Sequence, residues 1–276
     1  MIQQVQQLCR DWLTSGKVGA ILSIKSENGN VAPYLFTKPE EIDALVISPK
    51  YPVNYMCRPI KKNIFMIIQE KYPELKLGVV AKGCDERALI ELAKRELVKM
   101  QNLEIIGITC DKKQAEECRC PKPYPNQPIF GEKVEGISED KATENLLKKD
   151  LTERLEFWRY QFSKCIKCYG CRNICPLCFC KECAMEQEWL VKTGTIPPKF
   201  PMFHFIRFYH LADRCIECGG CEDSCPMNIP LRTVSKLLRK EVEKLFNYEA
   251  GTDVKRESPL ITDLEINPMK ELSDVL

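Results

Sequence analysis

Two cysteine runs fifty residues apart constrain this chain more than any other feature: CIKCYGCRNICP from Cys165 to Pro176 and CIECGGCEDSCP from Cys215 to Pro226. Each reads C-x2-C-x2-C-x3-C-P. That spacing puts three thiolates of a tight loop on three irons of one 4Fe-4S cube and sends the fourth, half a turn later, to the other cube. The pattern assigns Cys165, Cys168, Cys171 and Cys225 to one cluster, and Cys215, Cys218, Cys221 and Cys175 to a second. The proline behind each fourth cysteine fixes φ and offers no N–H, so the turn cannot wind onward.

Zinc and disulfides are the alternatives for such thiols. A structural zinc site separates its CxxC pairs and closes four ligands around one ion, whereas three closely spaced cysteines with a crossed fourth suit a cube. The count of 17 cysteines is odd. The chain is also far larger than small secreted scaffolds, and thiolates at this density persist in reducing compartments.

At 276 residues with 44% hydrophobic content, the chain can bury one ordinary core and support a smaller cluster-bearing domain. The start, MIQQVQQLCRDW, carries neither a basic leader nor a long apolar run, and no later stretch approaches the length that spans a bilayer. A cytoplasmic protein with no membrane contact is expected. Lys and Arg number 41 against 39 acids, a net of +2, which gives no reason to expect nucleic acid as a partner.

The first third reads as α/β. Ile2, Val5, Leu8 and Leu13 have helical spacing, and Val18 to Ile24 is a short apolar strand after Gly16. Ala44 to Ile47 suggests a second strand, and Ile64 to Ile68 a helix that Pro73 ends. A β-α-β unit follows: strand Leu75 to Ala81, helix Asp85 to Met100, strand Leu103 to Thr109. Its crossover makes the two strands parallel, so their carboxyl ends emerge on one edge, where sites in open α/β sheets lie. Cys84 follows one strand and Cys110 the other, and Cys118 and Cys120 sit in the proline-rich stretch CRCPKPYPNQP just downstream. If the strands are neighbours, Cys84, Cys110, Cys118 and Cys120 form a candidate third cluster site. The competing reading leaves Cys84 and Cys110 as small buried residues at strand ends.

KLGVVAKGCDERALIEL, LEIIGITC and ECRC resemble the cluster-binding region of the beta-subunit family of deazaflavin-reducing hydrogenases and formate dehydrogenases. The resemblance implies that Cys84, Cys110, Cys118 and Cys120 ligate a 4Fe-4S cluster, although the family's pair is commonly CxxC and this one is CxC. MFHFIRFYHLADRCIECGGCEDSCPMNIPLR resembles the dicluster extension of members that accompany heterodisulfide-reductase or formate dehydrogenase complexes. The family's deazaflavin-reducing members carry FAD with glycine-rich segments. Here there is no GxGxxG, P-loop or glycine-rich tract, so FAD has no motif to support it.

Little else suggests catalysis. His204 and His210 lie among aromatics in FHFIRFYH, where core packing is the expected role. Asp85, Glu86 and Arg87 open a helix, where acids favour the N-terminal dipole without any chemistry. Leu231, Val234, Leu237, Leu238, Val242 and Leu245 have the spacing of an amphipathic helix that covers the ferredoxin domain or docks a partner subunit. Cys178, Cys180 and Cys183 in CPLCFCKEC are further candidate metal ligands, with Cys57 or Cys9 as a distant fourth.

The expected fold class is α/β. A small, partly parallel sheet domain over 1–140 precedes a bacterial-type two-cluster ferredoxin domain over 141–247, with a helical extension and an extended C-terminal arm over 248–276. The expected function is electron transfer between partner subunits of a cytoplasmic multi-subunit oxidoreductase, without substrate chemistry on this chain alone. The rivals are a flavin-bearing subunit that exchanges a hydride with deazaflavin or nicotinamide, and a zinc-stabilised interaction module.

Overall fold

The apolar run after Gly16 forms the middle of a five-stranded sheet. The computed structural model describes residues 1–48, 64–138, 141–180 and 182–262. Strand β1 (Ala20–Glu27) pairs antiparallel with β2 (Asn30–Phe36) along one edge. Its other edge is divided: Ile24 and Lys25 pair antiparallel with β3 (Leu45–Val46), while Ala20, Ile21 and Leu22 pair parallel with β4 (Leu77–Ala81). Beyond β4 lies β5 (Leu103–Gly107), parallel, with Leu77 opposite Leu103 and Ala81 opposite Gly107. The mixed α/β class with a partly parallel sheet is therefore observed, and the two strands of the β-α-β unit are immediate neighbours.

Strand periodicity divides the core between the two faces of the sheet. Ile21, Val80 and Ile106 face α1 (Ile2–Thr14), whose Val5 and Cys9 are buried against them. Cys9 is thus a core residue, its thiol pushed up to about 12 by burial, and stands apart from the other cysteines. Ala20, Leu22, Leu77 and Val79 face the opposite way, toward Phe65 and Ile68 of α2 (Ile64–Lys71) and Leu89 and Leu92 of α3 (Gly83–Ala93). Each such aliphatic side chain contributes about 1.5–3 kcal/mol by burial. Leu177, Leu211 and Ile216, from the cysteine-rich half, belong to this same cluster.

Two local features depart from the sequence reading. β2 was not foreseen, although Asn28 and Gly29 adopt φ of 52° and 78° between Glu27 and Asn30, the two left-handed residues a tight hairpin requires. The helix expected to reach Met100 ends at Ala93. Glu96 turns left-handed at φ 56°, and the Leu97 N–H returns to the Leu92 carbonyl at 3.0 Å, which closes the helix end in the usual way.

After the short helices α4 (Lys112–Glu117) and α5 (Lys141–Leu147), the second half is mainly helical. It comprises α6 (Leu151–Ser163), α7 (Gly170–Asn173), α8 (Met202–Tyr209), α9 (Gly220–Asp223), α10 (Leu231–Phe246) and α11 (Pro259–Thr262). Asp150 caps α6 by accepting from Glu153 N at 2.8 Å. Leu231 of α10, with Val234 and Leu238, covers a cluster containing Phe162, Phe208 and four cysteines, Cys165, Cys171, Cys221 and Cys225. Among the described residues, no helix is long and apolar enough to cross a membrane.

Of the expected C-terminal arm, residues 248–258 lie against the chain itself. Glu91 of α3 is fully buried. Its carboxylate accepts from Tyr248 Oη at 3.1 Å, Gly251 N at 2.7 Å, Lys94 Nζ at 2.8 Å and Arg95 Nη1 at 2.7 Å. Ser258 adds a hydroxyl bond to Asp213. Residues 263–276, with Leu264, Ile266 and Pro268, lie outside the described residues. Removing Glu91 leaves Lys94 only the Tyr248 hydroxyl and Arg95 only Ser258 and the more distant Asp213, so Glu91→Ala should destabilise the protein by about 3 kcal/mol. Thermal unfolding measures the loss, and limited proteolysis should show new cleavage within 248–258.

Candidate metal centres

Parallel pairing of β4 and β5 sends both chain ends to one edge of the sheet. Cys84 stands in the first turn of α3, directly after β4, and Cys110 stands three residues after β5. Asp85 holds the turn by accepting from Lys82 N at 2.9 Å, and Cys110 N donates to Pro123 O at 2.8 Å. The chain between them folds back through α4, capped by Asp111, which accepts from Gln114 N at 2.7 Å. At the end of α4, Arg119 turns left-handed at φ 44°. The turn lets Cys118 and Cys120 face the same space despite their single-residue spacing. A cavity of about 580 Å³ results, lined by Cys84, Cys110, Cys118 and Cys120.

Glycine makes this closure possible at two points. A Cβ at Gly83 would lie 2.4 Å from Tyr124 O, and one at Gly107 would lie 2.5 Å from Gln127 O. Returning backbone therefore rests directly on the strand ends. Glu86 fastens it further, accepting from Asn126 N at 2.6 Å.

The two cysteine runs share one backbone shape. Lys167 and Tyr169 have φ of 56° and 59°, and the equivalent Glu217 and Gly219 have 53° and 79°. In each loop the amide two residues on points back at sulfur: Lys167 N at 3.4 Å from Cys165 Sγ, Gly170 N at 3.5 Å from Cys168 Sγ. The matching amides of Glu217 and Gly220 reach Cys215 and Cys218. Cys165, Cys168, Cys171 and Cys225 line one pocket. Cys175 is an electrostatic neighbour of Cys215, Cys218 and Cys221. One cysteine of each run thus lies beside the first three of the other.

Burial governs the protonation of these thiols. Desolvation pushes Cys110 and Cys218 up to about 12, Cys165 up to about 11, and Cys84 and Cys221 well above the ordinary thiol range. Cys175 moves the other way, because the Cys178 thiol donates to it. Thiols of this kind bind metal as thiolates and release protons on binding. Among the described residues, no three His, Cys, Asp or Glu side chains converge closely enough for a single ion. A tetrahedral zinc site demands sulfur–metal distances of about 2.3 Å to one centre. A cube, in which each thiolate takes a separate iron, accepts a wider set.

Three buried arginines stand among the sulfurs, and the sequence reading gave none of them a part in a site. Arg87 donates to Lys122 O at 2.7 Å and reaches Cys120 Sγ at 3.7 Å and Ile216 O at 3.4 Å. Arg232 donates to the Cys118 carbonyl and lines the 580 Å³ cavity. Arg207 has Cys178, Cys175, Cys171 and Cys221 around it. Each keeps at least one buried N–H without a hydrogen-bond partner: Nε of Arg87 and Arg232, and Nε and Nη1 of Arg207. Buried cations left this way cost several kcal/mol unless negative charge stands nearby. Asp223 and Glu222 supply part of that charge to Arg232 and Glu217 part of it to Arg87, whereas Arg207 faces sulfurs, and anionic iron–sulfur clusters held by thiolates would fit it. The signal in the sequence was an arginine inside an apolar aromatic stretch, FHFIRFYH.

The remaining candidates separate. Cys178, Cys180 and Cys183 line a small pocket with His210, Arg172, Arg207 and Arg214, which Cys178 joins to Cys175. His210 is exposed rather than a core residue, because it follows the last turn of α8. His204 is packed as expected, its ring stacked 3.8 Å from Phe162. Cys57 lies outside the described residues.

No protein-family model matches the chain. Among the curated proteins similar to part of it are two formate dehydrogenase subunits. One is the F420-dependent formate dehydrogenase 1 subunit beta of Methanococcus maripaludis, 47% identical over 116 residues, which are 41% of this chain and 30% of that protein. The other is the F420-dependent formate dehydrogenase subunit beta of Methanocaldococcus jannaschii, 42% identical over 125 residues, 44% of this chain and 33% of that protein. The chain spans about a third of the length of the curated relatives it matches.

Two predictions follow from this packing. Gly83→Ala should force the 120–124 segment off the sheet edge, lower thermal stability by about 1–3 kcal/mol and reduce metal bound at the edge site, read by iron analysis. His204 takes a proton near 6.5 when unfolded but only near 4 when folded, because burial disfavours its charged form. Stability is therefore full above pH 6.5 and falls as pH drops from 6.5 toward 4. His204→Phe should flatten that interval by on the order of 3 kcal/mol, measured as unfolding midpoint against pH.

Proposed function

Because the chain belongs to the beta-subunit family that includes the formate dehydrogenases, we propose that it is the iron–sulfur electron-transfer subunit of a cytoplasmic multi-subunit oxidoreductase. The complex is of the formate dehydrogenase, hydrogenase or heterodisulfide-reductase type, and other subunits of it donate and accept the electrons. In this reading residues 1–140 carry the edge site, 141–247 form a dicluster ferredoxin domain, and 248–276 form a C-terminal arm whose first part, 248–258, is packed on α3.

One observation carries the proposal. The cavity lined by Cys84, Cys110, Cys118 and Cys120 is also lined by Cys218 and Arg232 of the second half. The edge set therefore adjoins the set of Cys175, Cys215, Cys218 and Cys221, which interlocks with that of Cys165, Cys168, Cys171 and Cys225 through the exchanged fourth cysteines. Each sulfur set thus has another beside it. Bound 4Fe-4S clusters would supply one-electron carriers at these positions. The chain's own residues hold the thiols and set the cations Arg87, Arg207 and Arg232 among them.

This assignment predicts about twelve irons and matching sulfide per chain after anaerobic purification. Cys84→Ala should remove about four irons and leave the signals of the two cysteine runs intact. About eight irons in the unaltered chain would restrict the relay to the two runs, and about sixteen would place a further cluster on Cys178, Cys180 and Cys183. Zinc in place of iron would leave an interaction module. One tightly bound flavin per chain would instead favour a subunit that exchanges hydride itself.

A further inference from the structure

Arg207 occupies a position that cluster holding alone does not explain. It lies on α8, between the two cysteine runs in sequence, and is 3% exposed. It lines both the pocket of Cys165, Cys168, Cys171 and Cys225 and the pocket of Cys178, Cys180 and Cys183. Its Nη2 donates to Cys171 O at 2.7 Å. Nε and Nη1 are buried with no conventional hydrogen-bond partner, and what surrounds them is sulfur. Cys171 belongs to one set, Cys175 and Cys221 to the other, and all three sense the guanidinium.

A guanidinium keeps its charge at any pH the protein meets. In a buried site that charge is screened little by solvent. It stabilises whichever state of its neighbours is the more negative. For a one-electron carrier that is the reduced state, so the sign is determined: a fixed positive charge raises the reduction potential. Arg87 and Arg232 stand closer to the edge cavity, which Arg207 does not line.

We propose that Arg207 is the positioning residue that sets the potential of the two clusters held by the cysteine runs, holding both above the value the thiolates alone would give. This rests on the assignment of clusters to these sets. Its orphaned N–H groups supply hydrogen bonds to sulfur, and its charge acts on both sets because it lies between them. The edge site has its own cations, Arg87, Lys82 and Arg232, the last of which also faces Cys218 of the second run.

The test is a spectroscopic redox titration, followed by electron paramagnetic resonance, of the full chain and of Arg207→Gln and Arg207→Lys. The edge-site signal is identified as the one lost in Cys84→Ser. Arg207→Gln should lower the reduced-to-oxidised ratio of both run clusters about tenfold at fixed poise, equal to a shift of about 59 mV for a one-electron couple. Arg207→Lys should retain most of the original ratio, and the edge signal should not move in either variant. Run clusters that titrate unchanged in Arg207→Gln would overturn the proposal, as would an edge signal that shifts equally. If Arg207→Gln fails to hold iron, Arg207→Lys decides. Retained iron at the original potentials supports the charge role, and loss of iron there too assigns Arg207 to folding and overturns it. Absence of iron from the unaltered chain would sink the cluster assignment instead, a separate result.

Discussion

When β4 and β5 pair parallel and in register, their carboxyl ends leave the sheet side by side, and the cysteine-lined cavity is a consequence of that shared edge. A crossover helix is required to make the strands parallel, and α3 supplies it while carrying Cys84 in its first turn. The returning segment can then settle on the edge only where side chains are missing, at Gly83 and Gly107. Backbone closes on backbone there, and four thiols are left facing one space.

Charge is the second constraint, and it binds the two halves of the chain. Thiols buried this deeply resist ionisation, and guanidinium groups buried beside them resist losing their counter-charge. Each is costly alone, and the two offset one another once the sulfurs are ionised on metal. Arg87 reaches from α3 to Ile216 in the second cysteine run, and Arg232 reaches from α10 to Cys118 in the edge loop. The Arg119–Glu222 ion pair spans the same boundary. These links, together with Leu177, Leu211 and Ile216 in the core beside the sheet, hold the cysteine runs against the edge site. They do not leave the runs on a loose tether.

Glu91 performs an analogous task at the opposite end of α3. One buried carboxylate gathers Lys94, Arg95, Tyr248 and the Gly251 amide. Residues 248–258, which by composition read as the start of an extended arm, are therefore packed on the helix. Composition alone could not reveal this, because the partner that satisfies those backbone and hydroxyl groups lies more than 150 residues away in the chain.

The sequence by itself determined what short-range chemistry dictates. The cysteine spacing of each run, the prolines behind them and the apolar β-α-β pattern are local signals, and they sufficed to name three candidate sulfur sets and a partly parallel sheet. The Asn28–Gly29 hairpin is an equally local signal. The end of α3 at Ala93 was less legible, since a left-handed Glu96 carries no strong residue preference. Only the tertiary structure decided which cations face which sulfurs, that Arg119 turns a CxC pair toward one cavity, that Cys9 belongs to the core, and that His210 lies outside it. These are long-range outcomes. A charged side chain among aromatics announces that it must be compensated, but the compensating group is chosen by packing, and packing joins residues that the sequence keeps far apart.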